Sequence, residues 1–392
     1  MTRLGLTMPI GADEPLSHYC SRIAALNLAE SAQSFSTLLG FSFIEVTRGC
    51  SAAVERFSEL AGLTPAEAQR ATVLHVDTRS RQLAGHLFSK KFVANTKVKF
   101  CPLCFAEDEV TMSGRRGFRA RFRMSWLPRF LRACPVHEVT LLTHKFGDWR
   151  LRCDPYAWIR VSGRQWRDFE PDCVPMRLTV AEKYFLRRIR NEPNSDLWLD
   201  DLSPQAALHF VEILGAVERH GIEVQFGSLS LSEQSASAAT GFEIASGGTT
   251  DIKSVLTGLT KGYYRSKSPM GAHAVFGELA DEMSAYQSFP GYNRVLELMQ
   301  ETAIENLPIG PGQKFLRDVR YRKLHSVHSA SREAGIGARL LWRFLYEAGL
   351  APVWDQGYSK HRVVLPVSII APYVEKAVEW DQKGKRRHGM IH

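Results

Sequence analysis

The sequence lacks any uninterrupted apolar run of about 18 residues, the length a helix needs to cross a bilayer, so no membrane span is expected. Its opening, Met1-Thr2-Arg3-Leu4-Gly5, carries no hydrophobic stretch leading to a small-residue cleavage site, so the reading is a cytoplasmic protein. There is no Gly-rich phosphate loop followed by Lys-Ser/Thr, which removes the usual signal for nucleotide hydrolysis. A zinc-peptidase helix needs His-Glu-x-x-His. Here five residues, Val139 to Thr143, separate Glu138 from His144 and read as a strand. The acidic residues are scattered and form no three-carboxylate group of the kind a nuclease or transposase uses to hold metal ions. No internal repeat of fixed period stands out. Together these absences point away from an enzyme.

Cysteine is also scarce. There are seven, an odd number that suits a reducing compartment better than a disulfide scaffold. Three of them are organised. Cys101-Pro102-Leu103-Cys104 is answered by Cys134-Pro135-Val136-His137, two ligand pairs that each enclose two residues. This is the spacing of a tetrahedral Zn²⁺ site with three thiolates and one imidazole. Four protein ligands leave no open position for water, so the metal is expected to be structural. Cys20, Cys50, Cys153 and Cys173 read as ordinary thiols. His144, Cys153 and Cys173 are too few and too irregular for a second site, so one zinc is expected.

Apolar residues make up 44% and charged residues 23% of the 392, a globular balance long enough for two to four units. The formal charge of +9 favours an anionic partner. Much of that charge lies between the ligand pairs, where Arg115, Arg116, Arg119, Arg121, Arg123, Arg129 and Arg132 interleave with Phe118, Phe122, Trp126 and Phe130. The alternation from Phe118 to Met124 reads as a strand with its apolar face inward and its arginines outward. Guanidinium groups so displayed suit phosphate or partner contact; a plain solvated face beside Glu107, Asp108 and Glu109 is the alternative.

The overall class expected is mainly α with a small zinc-ribbon β module, in several domains. Residues 1–92 read as helical, with Asp13 capping a first helix from Leu16, a break near Asn27 and a second helix from about Ser31 to Gly40. That pair suits a helix-turn-helix or a plain hairpin. Further on, Ala52 to Ala61 is helical, and Thr64-Pro65-Ala66-Glu67 is a capping box. Residues 93–175 form the zinc-ribbon module. Residues 176–310 are a helical middle region with a Ser/Ala/Gly-rich linker at 228–248, and the Pro-Ile-Gly-Pro-Gly stretch 308–312 marks a boundary. Residues 311–392 read as a helix-turn-helix domain: a first helix Val327 to Ala334, the turn Gly335-Ile336-Gly337, and a second helix Ala338 to Ala348. On the second helix Leu341, Phe344, Leu345 and Ala348 face a core, while Arg339, Trp342, Arg343 and Tyr346 form a recognition surface. A wing follows, with Val353-Trp354 paired to His361–Leu365 across Asp355-Gln356-Gly357.

In this setting the chain resembles the TniQ/TnsD target-selection proteins of bacterial transposons. The matching pieces are Asp13-Glu14-Pro15-Leu16-Ser17 with Ser21-Arg22-Ile23-Ala24; the two ligand pairs with Glu107-Asp108 and Trp126; Gly241-Phe242-Glu243-Ile244-Ala245; Glu305-Asn306-Leu307-Pro308; and Leu324-His325-Ser326-Val327. The resemblance implies a non-enzymatic adaptor in the bacterial cytoplasm, associated with DNA. Its implied partners are a AAA+ transposition regulator of the TnsC/TniB type and DNA. For shorter members they include an RNA-guided Cascade ribonucleoprotein, engaged as a homodimer. A stand-alone zinc-containing helix-turn-helix transcription regulator is the alternative.

Overall fold

The computed structural model describes residues 3–93, 97–192, 196–263, 271–354 and 360–388. The chain divides into two compact units, residues 1–209 with 230–239 and residues 210–229 with 240–392.

The first unit opens with five short helices, Leu16–Leu26, Ala32–Leu38, Phe43–Arg48, Ser51–Ala61 and Pro65–Ala71. Their starts follow from local chemistry. Ser31, Ser42 and Thr64 each accept a backbone N–H of the first turn, and Thr64 and Glu67 form the reciprocal box the sequence announces. The first helix departs from expectation. Pro15 is its N-cap, and the Asp13 carboxylate instead accepts the Ser125 hydroxyl at 2.8 Å. These helices close over Tyr19, Ile23, Phe35, Phe43 and Phe57. A three-stranded antiparallel sheet follows, Leu74–His75, Ser80–Leu83 and His86–Ser89 in chain order; the sequence reading had no strand there.

Next in the same unit comes a second core, built round the strand pair Lys97–Phe100 and Leu142–Lys145, which run antiparallel with Val98 opposite His144. The helices Pro102–Thr111 and Pro155–Val161 and the 3-10 turn Trp166–Asp172 close it. Its filling is aromatic: Phe100 stacks on Phe105 at 5.4 Å between centroids, and Phe105 meets Phe122 at 4.9 Å and Trp166 at 5.0 Å. Edge and offset contacts of this kind add to the apolar burial of each ring.

The second unit is helical. Within it, Thr249–Thr260 packs on Tyr292–Asn306. The expected linker at 228–248 is not one, because Leu231–Ser246 is a helix. Gly241 has a packing reason: a Cβ there would lie 1.8 Å from the Val211 carbonyl oxygen.

At the C-terminal end Val327–Glu333 and Ala338–Glu347 are joined by a tight turn in which Gly335 takes φ +67°, a conformation open to glycine. Leu341, Phe344 and Leu345 enter the core there, as expected. Two expected placements differ. Trp342 is buried in that core, and Ala348, at the helix C-cap, is exposed. The wing differs too: Val364–Pro366 pairs with Leu324–Ser326 and not with Val353-Trp354, and the turn 355–357 lies outside the described residues. No helix among the described residues is long and apolar enough to cross a membrane.

Candidate metal centre

The first ligand pair sits where a strand turns into a helix. Cys101 follows the Lys97–Phe100 strand and is the N-cap of Pro102–Thr111; Pro102 opens that helix and Cys104 lies in its first turn. The β module expected over 93–175 includes no helix at its ligand pairs, so the helix Pro102–Thr111 is a difference. The second pair lies in a tight turn. The Cys134 N–H donates to the Val139 carbonyl at 2.7 Å, the Glu138 N–H donates to the Cys134 carbonyl at 3.1 Å, and Glu138 adopts φ +50°.

These two turns bring four donors together. Cys104 Sγ lies 3.4 Å from Cys134 Sγ and 3.3 Å from His137 Nδ1. His137 Nδ1 is 3.7 Å from Cys134 Sγ and 3.8 Å from Cys101 Sγ. A tetrahedron with metal–sulfur bonds of about 2.3 Å has edges of about 3.8 Å, so the donors stand at ligand spacing. The three sulfurs are buried, and the four donor atoms all fall within 4.8 Å of one another. The set can hold a metal ion.

Its electrostatics suit a cation. Cys134 is held down to about 2 by hydrogen bonds from Cys101 and then Cys104, helped by the backbone N–H groups of His137 and Val136. Cys104 is pushed well up by its sulfur neighbours Cys101 and Cys134 and by burial. A cation relieves the crowding of negative charge when all three sulfurs lose their protons. Outside the ligands, the Glu107 carboxylate lies 3.6 Å from His137 Nε2, on the ring nitrogen opposite the donor.

The acidic residues beside the first pair organise the arginine segment. Glu109 accepts the backbone N–H groups of Gly117 and Arg119, each at 2.8 Å. Asp108 accepts the Arg121 N–H at 2.8 Å and pairs with the Arg123 guanidinium at 2.8 Å. Residues 118–123 therefore do not form the expected strand. Arg119 turns back to the Gly114 and Glu109 carbonyls, and Arg123 is half-buried over Trp126. Arg121 is half-buried, and burial lowers its pKa. Arg132 is buried, with its backbone N–H on Glu182. Of the five arginines expected to make contacts, Arg115 and Arg116 are the exposed ones. Sequence reasoning missed Asp108 and Glu109 as organisers; their signal was the run of three acids, Glu107 to Glu109, on the helix that opens at the first ligand pair.

A buried ion pair ties the first helix to the same segment. Arg22, inaccessible to solvent, bonds Glu14 through Nη2 at 2.7 Å and Nε at 2.9 Å, and its remaining N–H groups reach the Pro9 and Phe118 carbonyls.

The other thiols and His144 lie elsewhere. Cys153 packs at the margin of the N-terminal core and Cys173 beside the aromatic one, and the His144 ring lies 5.1 Å from Phe169. On the C-terminal helix Arg339, Arg343 and Tyr346 are exposed, with Arg343 Nε on Glu347 at 2.8 Å. Trp342 donates its Nε1–H to the Pro352 carbonyl at 2.9 Å and meets Trp354 edge-on at 4.8 Å. With Leu340, Val353 and Trp354 these residues bound a concavity of about 520 Å³.

Residues 6–141 match the TniQ family model, a span that runs from ahead of the Glu14–Arg22 pair past all four metal donors. No curated protein matches the chain.

Proposed function

We propose, from the premise that this is a TniQ-family chain, that it is a non-enzymatic target-selection adaptor of a bacterial transposon. In this reading it links a target DNA site, or an RNA-guided Cascade complex, to a AAA+ regulator of the TnsC/TniB type. The observation that carries it is the family match over residues 6–141, which encloses the four metal donors and the acidic residues that hold the arginine segment.

The ion is Zn²⁺ in this reading, because three thiolates and one imidazole at tetrahedral spacing suit it. Cys101, Cys104, Cys134 and His137 hold it, and when bound it supplies a fixed crosslink and no reactive position. The chain's own residues do the rest. The crosslink fixes the start of Pro102–Thr111, which sets Asp108 and Glu109, and these set the course of residues 117–123. Arg115 and Arg116 are then presented to a partner at the edge of a rigid module. Arg339, Arg343 and Tyr346 offer a second contact surface on the C-terminal helix pair, with Trp342 as its internal support.

The test is genetic. Deleting the chain abolishes targeted insertion while the transposase stays competent to join DNA ends. Unchanged insertion frequency and site choice overturn the adaptor role. Tight, sequence-specific operator binding by the purified chain would instead support the transcription regulator.

A further inference from the structure

The antiparallel strand pair that leads into the first metal ligand has a face the proposed role does not use. Along Lys97–Phe100, Val98 and Phe100 turn into the aromatic core, so Lys97 and Lys99 turn to the opposite face. The register sets Lys97 directly opposite Lys145 and Lys99 opposite Thr143. Like charges directly opposite one another destabilise a strand pair, so stability of the pair does not account for them. Lys97 and Lys145 are exposed, and neither has an ion-pair partner among the described residues.

The face continues beyond the strand pair. Lys99 Nζ donates to the Pro128 carbonyl at 2.9 Å, which brings Arg129 alongside. The Arg129 N–H donates to the Phe92 carbonyl at 2.9 Å, and its guanidinium lies 4.2 Å over the Phe92 ring, next to the exposed Lys90 and Lys91. No Asp or Glu occurs between Asp77 and Glu107, between Glu109 and Glu138, or between Glu138 and Asp148. For Lys97 and Lys99 the nearest acids in sequence are thus Glu107 to Glu109, of which Asp108 and Glu109 are engaged with the arginine segment; for Lys145 the nearest is Asp148, whose carboxylate accepts the Arg150 N–H at 2.9 Å.

We propose that Lys97, Lys99 and Lys145, flanked by Arg129, Lys90 and Lys91, grip the phosphate backbone of double-stranded DNA. The inference rests on the reading that the chain works at target DNA. Ammonium groups are compact cations suited to phosphate, and strand geometry sets Lys97 and Lys99 about 6.7 Å apart along one edge. Lys97, Lys99, Thr143 and Lys145, the residues of this face, offer no aromatic ring on which an unpaired base could stack, which favours a duplex backbone over a single strand. Contacts of this type position a protein on DNA without reading its sequence.

The experiment uses the zinc-loaded full chain and a short labelled DNA duplex, with binding followed by fluorescence anisotropy across a salt series. In the Lys97→Gln/Lys145→Gln variant, the slope of log affinity against log salt is expected to fall by about 2, because each phosphate contact contributes about 0.9. Affinity at low salt falls about tenfold or more, equally for unrelated sequences. Zinc content and thermal midpoint stay unchanged, and Lys261→Gln/Lys314→Gln, which removes the same charge elsewhere, leaves the slope intact. The proposal is overturned if the wild-type chain does not bind duplex DNA, if the slope is unchanged, or if the distant pair has the same effect. A variant that aggregates with its slope intact overturns it too, and assigns the lysines to protecting a strand edge. Tighter, lysine-dependent binding of an RNA duplex overturns the choice of DNA. An unchanged slope with insertion still dependent on the chain sinks the lysine face and leaves the adaptor reading standing. A reduced slope with insertion independent of the chain does the reverse.

Discussion

Glu14→Gln tests whether the N-terminal helix and the metal module are joined through one charge. Arg22 is fully buried and Glu14 nearly so, and the two exchange a bidentate contact at 2.7 and 2.9 Å. Burial pulls the Arg22 pKa down, and the charge and hydrogen bond of Glu14 more than reverse it, so the pKa ends above its usual value. Removing one member of a buried pair leaves the other uncompensated, at a cost of about 3–5 kcal/mol. Glutamine keeps one acceptor for the guanidinium, which puts the expected loss near the lower end, about 3 kcal/mol. Two units and a metal centre make global unfolding a poor measure, so the assay is local. Hydrogen exchange of the Leu16–Leu26 amides in the zinc-loaded protein should speed up roughly 150-fold, the factor that 3 kcal/mol represents. A double change, Glu14→Leu with Arg22→Met, removes both charges and loses mainly the bonds to the Pro9 and Phe118 carbonyls. It should therefore be less damaging than the sum of its parts by about 2 kcal/mol or more. If Glu14→Gln accelerates exchange less than about fivefold, near 1 kcal/mol, the joint is not electrostatic and the reasoning fails.

Two further outcomes follow from the same structure. Cys104→Ala should reduce bound zinc from one equivalent to none by metal analysis. It should also expose residues 117–123 to exchange, because the helix that carries Asp108 and Glu109 loses its anchor. Targeted insertion should be lost with the metal; insertion that survives zinc loss would reduce the module to scaffolding. His18 predicts acid sensitivity. Burial holds its imidazole down at about 3 against 6.5 in an unfolded chain, so the unfolded state binds the proton first. Its contribution is whole above pH 6.5 and falls by about 1.4 kcal/mol per pH unit as pH drops toward 3. Denaturant titrations of wild type and His18→Leu should therefore differ in pH slope by about one proton between pH 6 and 4, and equal slopes would refute the assignment.

What was legible in the sequence was whatever a few consecutive residues decide. The Cys-x-x-Cys and Cys-x-x-His pairs specify ligand turns within four residues each, and the Thr64–Glu67 box fixes a helix start, so both appear in the structure. One local signal was overlooked. Ser230-Leu231-Ser232-Glu233 is also a capping box, with Ser230 N–H on Glu233 at 2.8 Å, and it opens the helix that Ser- and Ala-rich composition disguised as a linker. The arginine segment shows the limit of local reading. Its alternation of apolar and basic residues is a strand pattern, yet a strand needs a partner strand, and the partners here are carboxylates on a helix up to 15 residues earlier. Once Asp108 and Glu109 take the backbone N–H groups of Gly117, Arg119 and Arg121, no ladder forms and the guanidinium groups turn inward. Trp342 fails for a similar reason. Helical spacing sets it at the edge of the buried stripe, and burial is decided by Pro352 and Trp354 folding back over it. A basic residue can be assigned to a partner only after the acids of its own fold have been given their share. On that criterion the weight shifts from Arg119, Arg121 and Arg123, where Asp108 and Glu109 hold the segment, to Lys97 and Lys145, which face each other across a strand pair and have no ion-pair partner among the described residues.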